Sequence, residues 1–247
     1  MRRSLPATIA VAVLAMLGGG LWAGHRWITH STRFAIQQIA IHGAHRVDPD
    51  QLRTALPIQI GDNVFTELAG IAVAARDNPW VASAEVHRIL PHTIVVDLRE
   101  HVAAAVVAID ELYLVDDSGR PFKRAALDGG ESDGLPLITG IGRAALVADP
   151  DATAATVRDA LAAVNRWRAT ERPAIAEIHV DPHGALTLHT HDPAIAIKLG
   201  TPGTEVAGRL RTFDTAWAGL DPAERARTRA IHLDSRPDHA TVAFAKD

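Results

Sequence analysis

The stretch DNPWVASAEVHRILPHTIVVDLREH, residues 77–101, decides how the rest of the chain is read. Ala82, Ala84 and Val86 alternate with Ser83, Glu85 and His87, and Ile94, Val96 and Leu98 alternate with Val95, Asp97 and Arg99. That period of two, with Leu90-Pro91-His92 between the runs, predicts two consecutive strands joined by a short turn. Asp77-Asn78-Pro79 stops any helix before them, because the residue preceding a proline is disfavoured in helical geometry. Trp80 follows that stop and is read as a core plug at the helix-to-strand junction. The segment holds no catalytic motif, so its patterning is architectural.

Upstream, Phe34 to Gly43 (FAIQQIAIHG) reads as a strand ending at a turn glycine, with Ile39 and Ile41 on one face and Gln38 and His42 on the other. Asp48 offers an N-cap carboxylate, Pro49 fits the first helical position and Gln51 sits three after the cap, which predicts a helix ending before Pro57. Leu68, Ile71, Ala72 and Ala75 keep helical spacing and predict a second helix over Thr66–Arg76. The order over 34–101 is therefore strand, helix, helix, strand, strand.

Downstream, residues 102–247 read as a second α/β unit. Strands are predicted at Val102–Ile109, Leu112–Val115, Leu135–Ile138, Glu177–Val180, Ala185–Thr190, Ile195–Leu199, Ala230–Asp234 and Ala240–Lys246. Asp149-Pro150 opens a helix striped by Val157, Leu161, Val164 and Trp167. A second, Thr204–Leu220, is striped by Val206, Leu210, Phe213 and Trp217, and Asp221-Pro222-x-Glu224 opens a brief helical turn. Both stripes are read as ordinary helix-to-sheet packing.

The N-terminus carries a different signal. Residues 5–24 are uncharged and follow Arg2 and Arg3, and about twenty apolar residues suffice to cross a bilayer core. A four-residue cytoplasmic tail (1–4), a transmembrane helix (5–24), a polar juxtamembrane link (25–33) and an exported remainder follow from the positive-inside rule, with Trp22 and Trp27 near the outer headgroups. The competing reading is a signal peptide cut after Ala23, for which Leu21 is a poor fit.

Composition narrows the function. A net charge of −4 and a pI near 6.3 supply no basic field for phosphates, so no nucleic-acid partner is expected. Cysteine is absent, which excludes disulfides, thiolate metal sites and a cysteine nucleophile. His189-x-His191, with His179 and His183 nearby, is a candidate metal cluster, but no acidic third ligand shares its register, and a solvated strand face is the preferred reading. Asp116-Asp117-Ser118-Gly119 is a turn composition rather than an acid–base pair. No cofactor, no metal and no catalytic residue is assigned.

The strand order outside a single anchor resembles a POTRA domain. The motifs narrow it: the Gly43 turn, Asn78-Pro79-Trp80-Val81, Arg88 with Pro91, Arg99-Glu100, then Leu114-Val115-Asp116-x-x-Gly119-x-x-Phe122 and Leu135-Pro136-x-Ile138-x-Gly140. Their order and spacing resemble the bacterial cell-division family FtsQ/DivIB over nearly the whole chain. Ala103 stands where the family often has a proline, and the cytoplasmic tail is shorter than in many relatives.

The resemblance implies an α+β protein: one transmembrane helix, a POTRA domain over 34–101, and over 102–247 a β domain with a mainly antiparallel curved sheet. It implies a single-pass protein of the inner membrane, bulk periplasmic, enriched at the division septum. The activity implied is not enzymatic: the chain would recruit FtsB and FtsL and help control septal peptidoglycan synthesis with other division proteins. In the family the last strand accepts an added strand, a role that carries over to Thr241, Val242, Ala243 and Phe244; a core position for Phe244 is the alternative. Arg99 and Glu100, ending a strand near the domain junction, are read as ordering the link between the domains in preference to touching a partner directly. A POTRA-bearing chaperone or secretion adaptor, and a metal-dependent periplasmic hydrolase using the histidine cluster, are the rival functions.

Overall fold

The structure is a computed structural model that describes residues 5–203, 205–236 and 238–245, and their side chains except at 5–11, 30 and 127. The tail expected over 1–4, and Thr204 and Lys246 at the ends of expected elements, lie outside the described residues. The chain divides into two compact units with the boundary between His101 and Val102.

The first unit begins with helix α1, Leu5–His30, and a 3-10 turn, Thr32–Phe34. The link expected over 25–33 is thus helical as far as His30, since His25–His30 contains no glycine or proline to break it. Among the described residues no helix is long and apolar enough to cross a membrane; the described side chains of α1 begin at Ala12, leaving thirteen uncharged positions (24 − 12 + 1).

Then come β1 (Gln38–His42), α2 (Pro49–Ala55), α3 (Leu68–Arg76), β2 (Val81–Ile89) and β3 (Thr93–Glu100). The sheet order is β1-β3-β2, with β3 antiparallel to β2 and parallel to β1. The two helices carry the chain across before the hairpin, so its second strand can enter beside β1 in parallel. Ile39, Leu52, Ile71, Ala75, Ile94, Val96 and Leu98 form the buried face. The Asp48 carboxylate accepts from Asp50 N, capping α2 as its sequence foretells. Gly43 has φ +77, and a Cβ there would stand 2.2 Å from the Leu98 carbonyl oxygen, so only glycine fits this turn. The first strand is shorter than expected because residues 34–36 exchange backbone hydrogen bonds with 61–64 before β1 begins.

The second unit contains β4 (Ala105–Ile109), β5 (Glu111–Val115), β6 (Pro121–Arg124), a 3-10 turn (Leu127–Gly129), β7 (Leu137–Thr139), α4 (Arg143–Ala148) and α5 (Pro150–Arg168). It continues with β8 (Ile175–Val180), β9 (Leu186–Thr190), β10 (Ala196–Gly200), α6 (Val206–Gly219), α7 (Pro222–Arg227), β11 (Thr228–Arg236) and β12 (His239–Phe244). β6 and α4 were not foreseen, being too short for a periodic signal.

One nine-stranded sheet runs β12-β11-β10-β9-β8-β7-β4-β5-β6. It is mixed, with antiparallel pairings in the majority as expected: β4·β7, β7·β8 and β10·β11 are parallel, and the other five pairings are antiparallel. Helices between β7 and β8, and between β10 and β11, act as crossovers, and a crossover returns its strand in the same direction. The expected stripes pack inward: Val157, Leu161, Val164 and Trp167 of α5 and Val206, Leu210 and Phe213 of α6 are all buried. Burying each of these aliphatic side chains contributes about 1.5–3 kcal/mol. Trp167 and Phe213 meet at 4.6 Å between ring centroids. The Arg172 guanidinium, almost wholly buried, forms a two-pronged pair with Asp214 at 2.6 and 2.8 Å and also donates to the Arg166 and Trp167 carbonyls.

Candidate partner-binding strand

Among the described residues β12 terminates the nine-stranded sheet and pairs with β11 alone. An end strand presents a row of backbone donors and acceptors that another strand can satisfy. Val242 lies opposite Ile231, Thr241 opposite His232, Ala243 opposite Ala230, and Phe244 opposite Thr228. Ala240 and Val242 are half-buried against the core, while Thr241 is exposed on the other face.

Strict alternation would put Phe244 with Ala240 and Val242, but the ladder shifts register between Thr228 and Ala230. The extra residue of this bulge, Arg229, lies on β11. Phe244, at the end of β12, is 42% exposed, with the Arg227 guanidinium 5.8 Å from its ring centre. The core position considered for Phe244 is therefore not the one adopted.

Beside β12 lies a groove of about 520 Å³ lined by Gly208, Arg211, Thr212, Thr215 and Ala216 of α6 together with Asp238 and Ala240. Sequence reasoning missed these groove residues because they carry no motif. The available signal was positional: they occupy the helix face opposite the Val206, Leu210 and Phe213 stripe.

Arg99 and Glu100 end β3. Arg99 is exposed, opposite Ser83. The Glu100 carboxylate accepts from the backbone N–H groups of His45 (2.9 Å), Arg46 (3.0 and 3.1 Å) and Val47 (2.9 Å). Burial alone would push its pKa up, but the bonds from Val47, His45 and Arg46 and the neighbouring His45 ring outweigh it and hold the group below its ordinary value. Trp80, 8% exposed, closes the same end of the unit under the Arg46 guanidinium at 4.5 Å. Arg88 donates to the carbonyls of Val64 (3.1 Å) and Thr66 (2.8 Å), fixing the loop that leads into α3.

The histidine cluster is dispersed. His189 pairs across strands with Glu177 and Ala196, and His191 lies beyond the end of β9. The Thr139 hydroxyl donates to Glu177 Oε1 at 2.6 Å and lies 3.0 Å from His179 Nδ1. Asp181 accepts from the His183 and Ala185 backbones and so serves a turn. Among the described residues no group of three histidine, cysteine or acidic side chains is placed to hold a metal ion. Asp116 likewise accepts from Ser118 N at 3.0 Å, the turn its composition predicts.

Comparison with known proteins gives these features a setting. Residues 34–101 match the family model described as POTRA domain, FtsQ-type, and residues 105–234 match the one described as cell division protein FtsQ/DivIB, C-terminal, which stops short of β12. The cell division protein FtsQ of Anaeromyxobacter sp. (strain K) is 38% identical over 99% of this chain and 82% of its own length. That of Myxococcus fulvus is 30% identical over 95% and 84%, and that of Allochromatium vinosum 30% over 92% and 86%. The motif glycines that only a bare backbone can occupy, the Glu100 carboxylate under its three amides and the two matched regions agree: this chain belongs to the FtsQ/DivIB family of cell division proteins.

Proposed function

We propose that the chain is a non-enzymatic scaffold of the division machinery that captures FtsB, and with it FtsL, by strand addition to β12 and so helps control septal peptidoglycan synthesis. The observation that carries the reading is an end strand paired on one side only, beside an open groove on α6. An added strand gains affinity from main-chain hydrogen bonds along Thr241–Phe244 and selectivity from alternate side chains, which would meet the groove. Phe244 is the natural apolar contact, being large, exposed and near the strand end.

Residues 5–24 act in this proposal as the inner-membrane anchor, type II, with Arg2 and Arg3 in the cytoplasm and both units in the periplasm, concentrated at the septum. The supporting observation is that α1 is one continuous helix through that uncharged run. The POTRA domain would occupy 34–101 and the β domain 102–247, with Arg99 and Glu100 at the junction; Glu100 holds the end of β3 to the 45–47 turn, which fixes the direction in which the chain leaves the strand.

Successive residues of a strand point their N–H groups to opposite sides, so of Thr241→Pro and Val242→Pro one removes a donor from the free edge and the other from the β11 ladder. The free-edge variant should stay folded and lose FtsB in a pull-down, and Phe244→Glu should weaken capture as well. Retention of FtsB at the parental level by both proline variants would defeat strand addition. Depletion in the native cell should give filaments, with a fluorescent fusion banding at midcell.

A further inference from the structure

The end of the first unit where α1 arrives carries an apolar surface that the scaffold role leaves unused. The Asn63 carboxamide donates to the carbonyls of Ile28 (2.9 Å) and Thr29 (2.8 Å), so the last turn of α1 is clamped onto the unit. From there an aromatic chain runs outward: Trp27 meets Phe34 edge-on at 6.1 Å, and Phe34 meets Phe65 at 5.2 Å. Arg88 lies 5.9 Å from the Phe65 ring and holds the carbonyls on both sides of it, at Val64 and Thr66, which keeps Phe65 turned outward. The β2–β3 turn follows directly on Arg88 with Ile89 and Leu90.

Beyond α1, the large exposed apolar side chains of this unit among the described residues are Ile60, Phe65, Val73, Ile89 and Leu90. Three of the five belong to this one end, and Trp27 beside them is 61% exposed. Exposed apolar clusters of this kind are costly unless something covers them.

We infer that this end of the first unit, Trp27, Phe65, Ile89 and Leu90, seats in the headgroup layer of the bilayer that α1 enters. The inference rests on the reading of α1 as an anchor. Twenty-six residues at about 1.5 Å each give a helix of about 39 Å, against a hydrocarbon core of about 30 Å. With the core crossed by residue 24, the turns holding Trp27, Ile28 and Thr29 run through the headgroups, and the Asn63 clamp brings Phe65 to the same level. Indole and phenyl rings favour that layer, and the nearby Arg26 and Arg33 can reach phosphates with their stems along apolar surface. The consequence is a unit that lies against the membrane instead of swinging from it.

The cysteine-free sequence makes the test direct. Nitroxide labels are placed singly at Leu90→Cys, Phe65→Cys, Leu17→Cys and Ala82→Cys in the full chain, reconstituted into vesicles of phosphatidylethanolamine and phosphatidylglycerol. Ala82 is an exposed position at the far end of β2, about 26 Å of strand away from Leu90. The ratio of collisions with oxygen to collisions with a water-soluble nickel chelate should be several-fold higher at 90 and 65 than at 82. Labels at 90 and 65 as water-accessible as the one at 82, with the Leu17 label deep in lipid, overturn the inference and leave the anchor standing. A Leu17 label in water, with carbonate stripping the chain from the vesicles, overturns the anchor and the inference with it.

Discussion

The two units solve the same problem, one sheet with helices on one face, by different means. The first has three strands and a modest core, and it is stapled by polar groups bonded to backbone: Glu100 under three amides, Arg88 on two carbonyls, Asn63 on two more. The second has nine strands and a large apolar core around Trp167 and Phe213, with the buried Arg172 guanidinium paired to a partly exposed Asp214 carboxylate. Both sheets end in strands paired on one side, β1 and β2 in the first and β12 and β6 in the second. In the first, residues 34–36 leading into β1 exchange hydrogen bonds with 61–64, whereas β12 in the second pairs with β11 only. A small unit gains order from directed polar bonds, and a large one from the size of its core.

The strongest way to break this contrast is Asp214→Ala, which leaves the Arg172 guanidinium buried without its carboxylate. Arg172 stays buried but water reaches the partly exposed Asp214 site, so the second unit should lose about 2–3 kcal/mol in denaturant unfolding while amides of the first keep their exchange protection. An unchanged second unit would mean that the two carbonyl bonds of Arg172 suffice.

Glu100→Ala tests the first unit. It strands three backbone donors and should cost about 2 kcal/mol, read as faster hydrogen exchange at His45, Arg46 and Val47. Acid should reproduce part of this. A carboxyl held below its unfolded value contributes stability that is complete above that value, about 4.3 for Glu, and is lost as pH falls through the folded one. Protection factors at 45–47 should therefore fall below about pH 4.3 in the parent, and Glu100→Gln should flatten that dependence. A profile identical in both would place the acid sensitivity elsewhere.

The smallest effect expected is that of Arg46→Ala, which removes the cation from the face of Trp80 and should cost about 0.5–1 kcal/mol. A loss comparable to that of Glu100→Ala would show that the arginine stem, not its charge, packs the tryptophan.

Much of this was legible in advance. Asp48 and Asp149 cap the helices they were expected to cap, the stripes of α5 and α6 face inward, and the hairpin of residues 81–100 turns at Leu90-Pro91-His92. Short elements with no room for a period, β6 and α4, were not. Neither was the direction of strands: three parallel pairings hide among eight because direction follows from crossovers, which no local pattern records.

By itself the sequence determined the kind and order of the long elements and the starts of the capped helices, since caps, prolines and periodicity act within a few residues of chain. It also determined that Gly43 stands at a turn and marked Gly140 as a motif position. Only the tertiary structure decided why they must be glycine: a Cβ at Gly140 would fall 1.9 Å from the Val180 carbonyl oxygen, forty residues away in sequence. It alone left Phe244 exposed at the end of β12, and it alone joined Asn63 to the end of α1 and Glu100 to residues 45–47. Those contacts depend on groups distant in the chain meeting at hydrogen-bonding distance, and folding, not local propensity, brings them there.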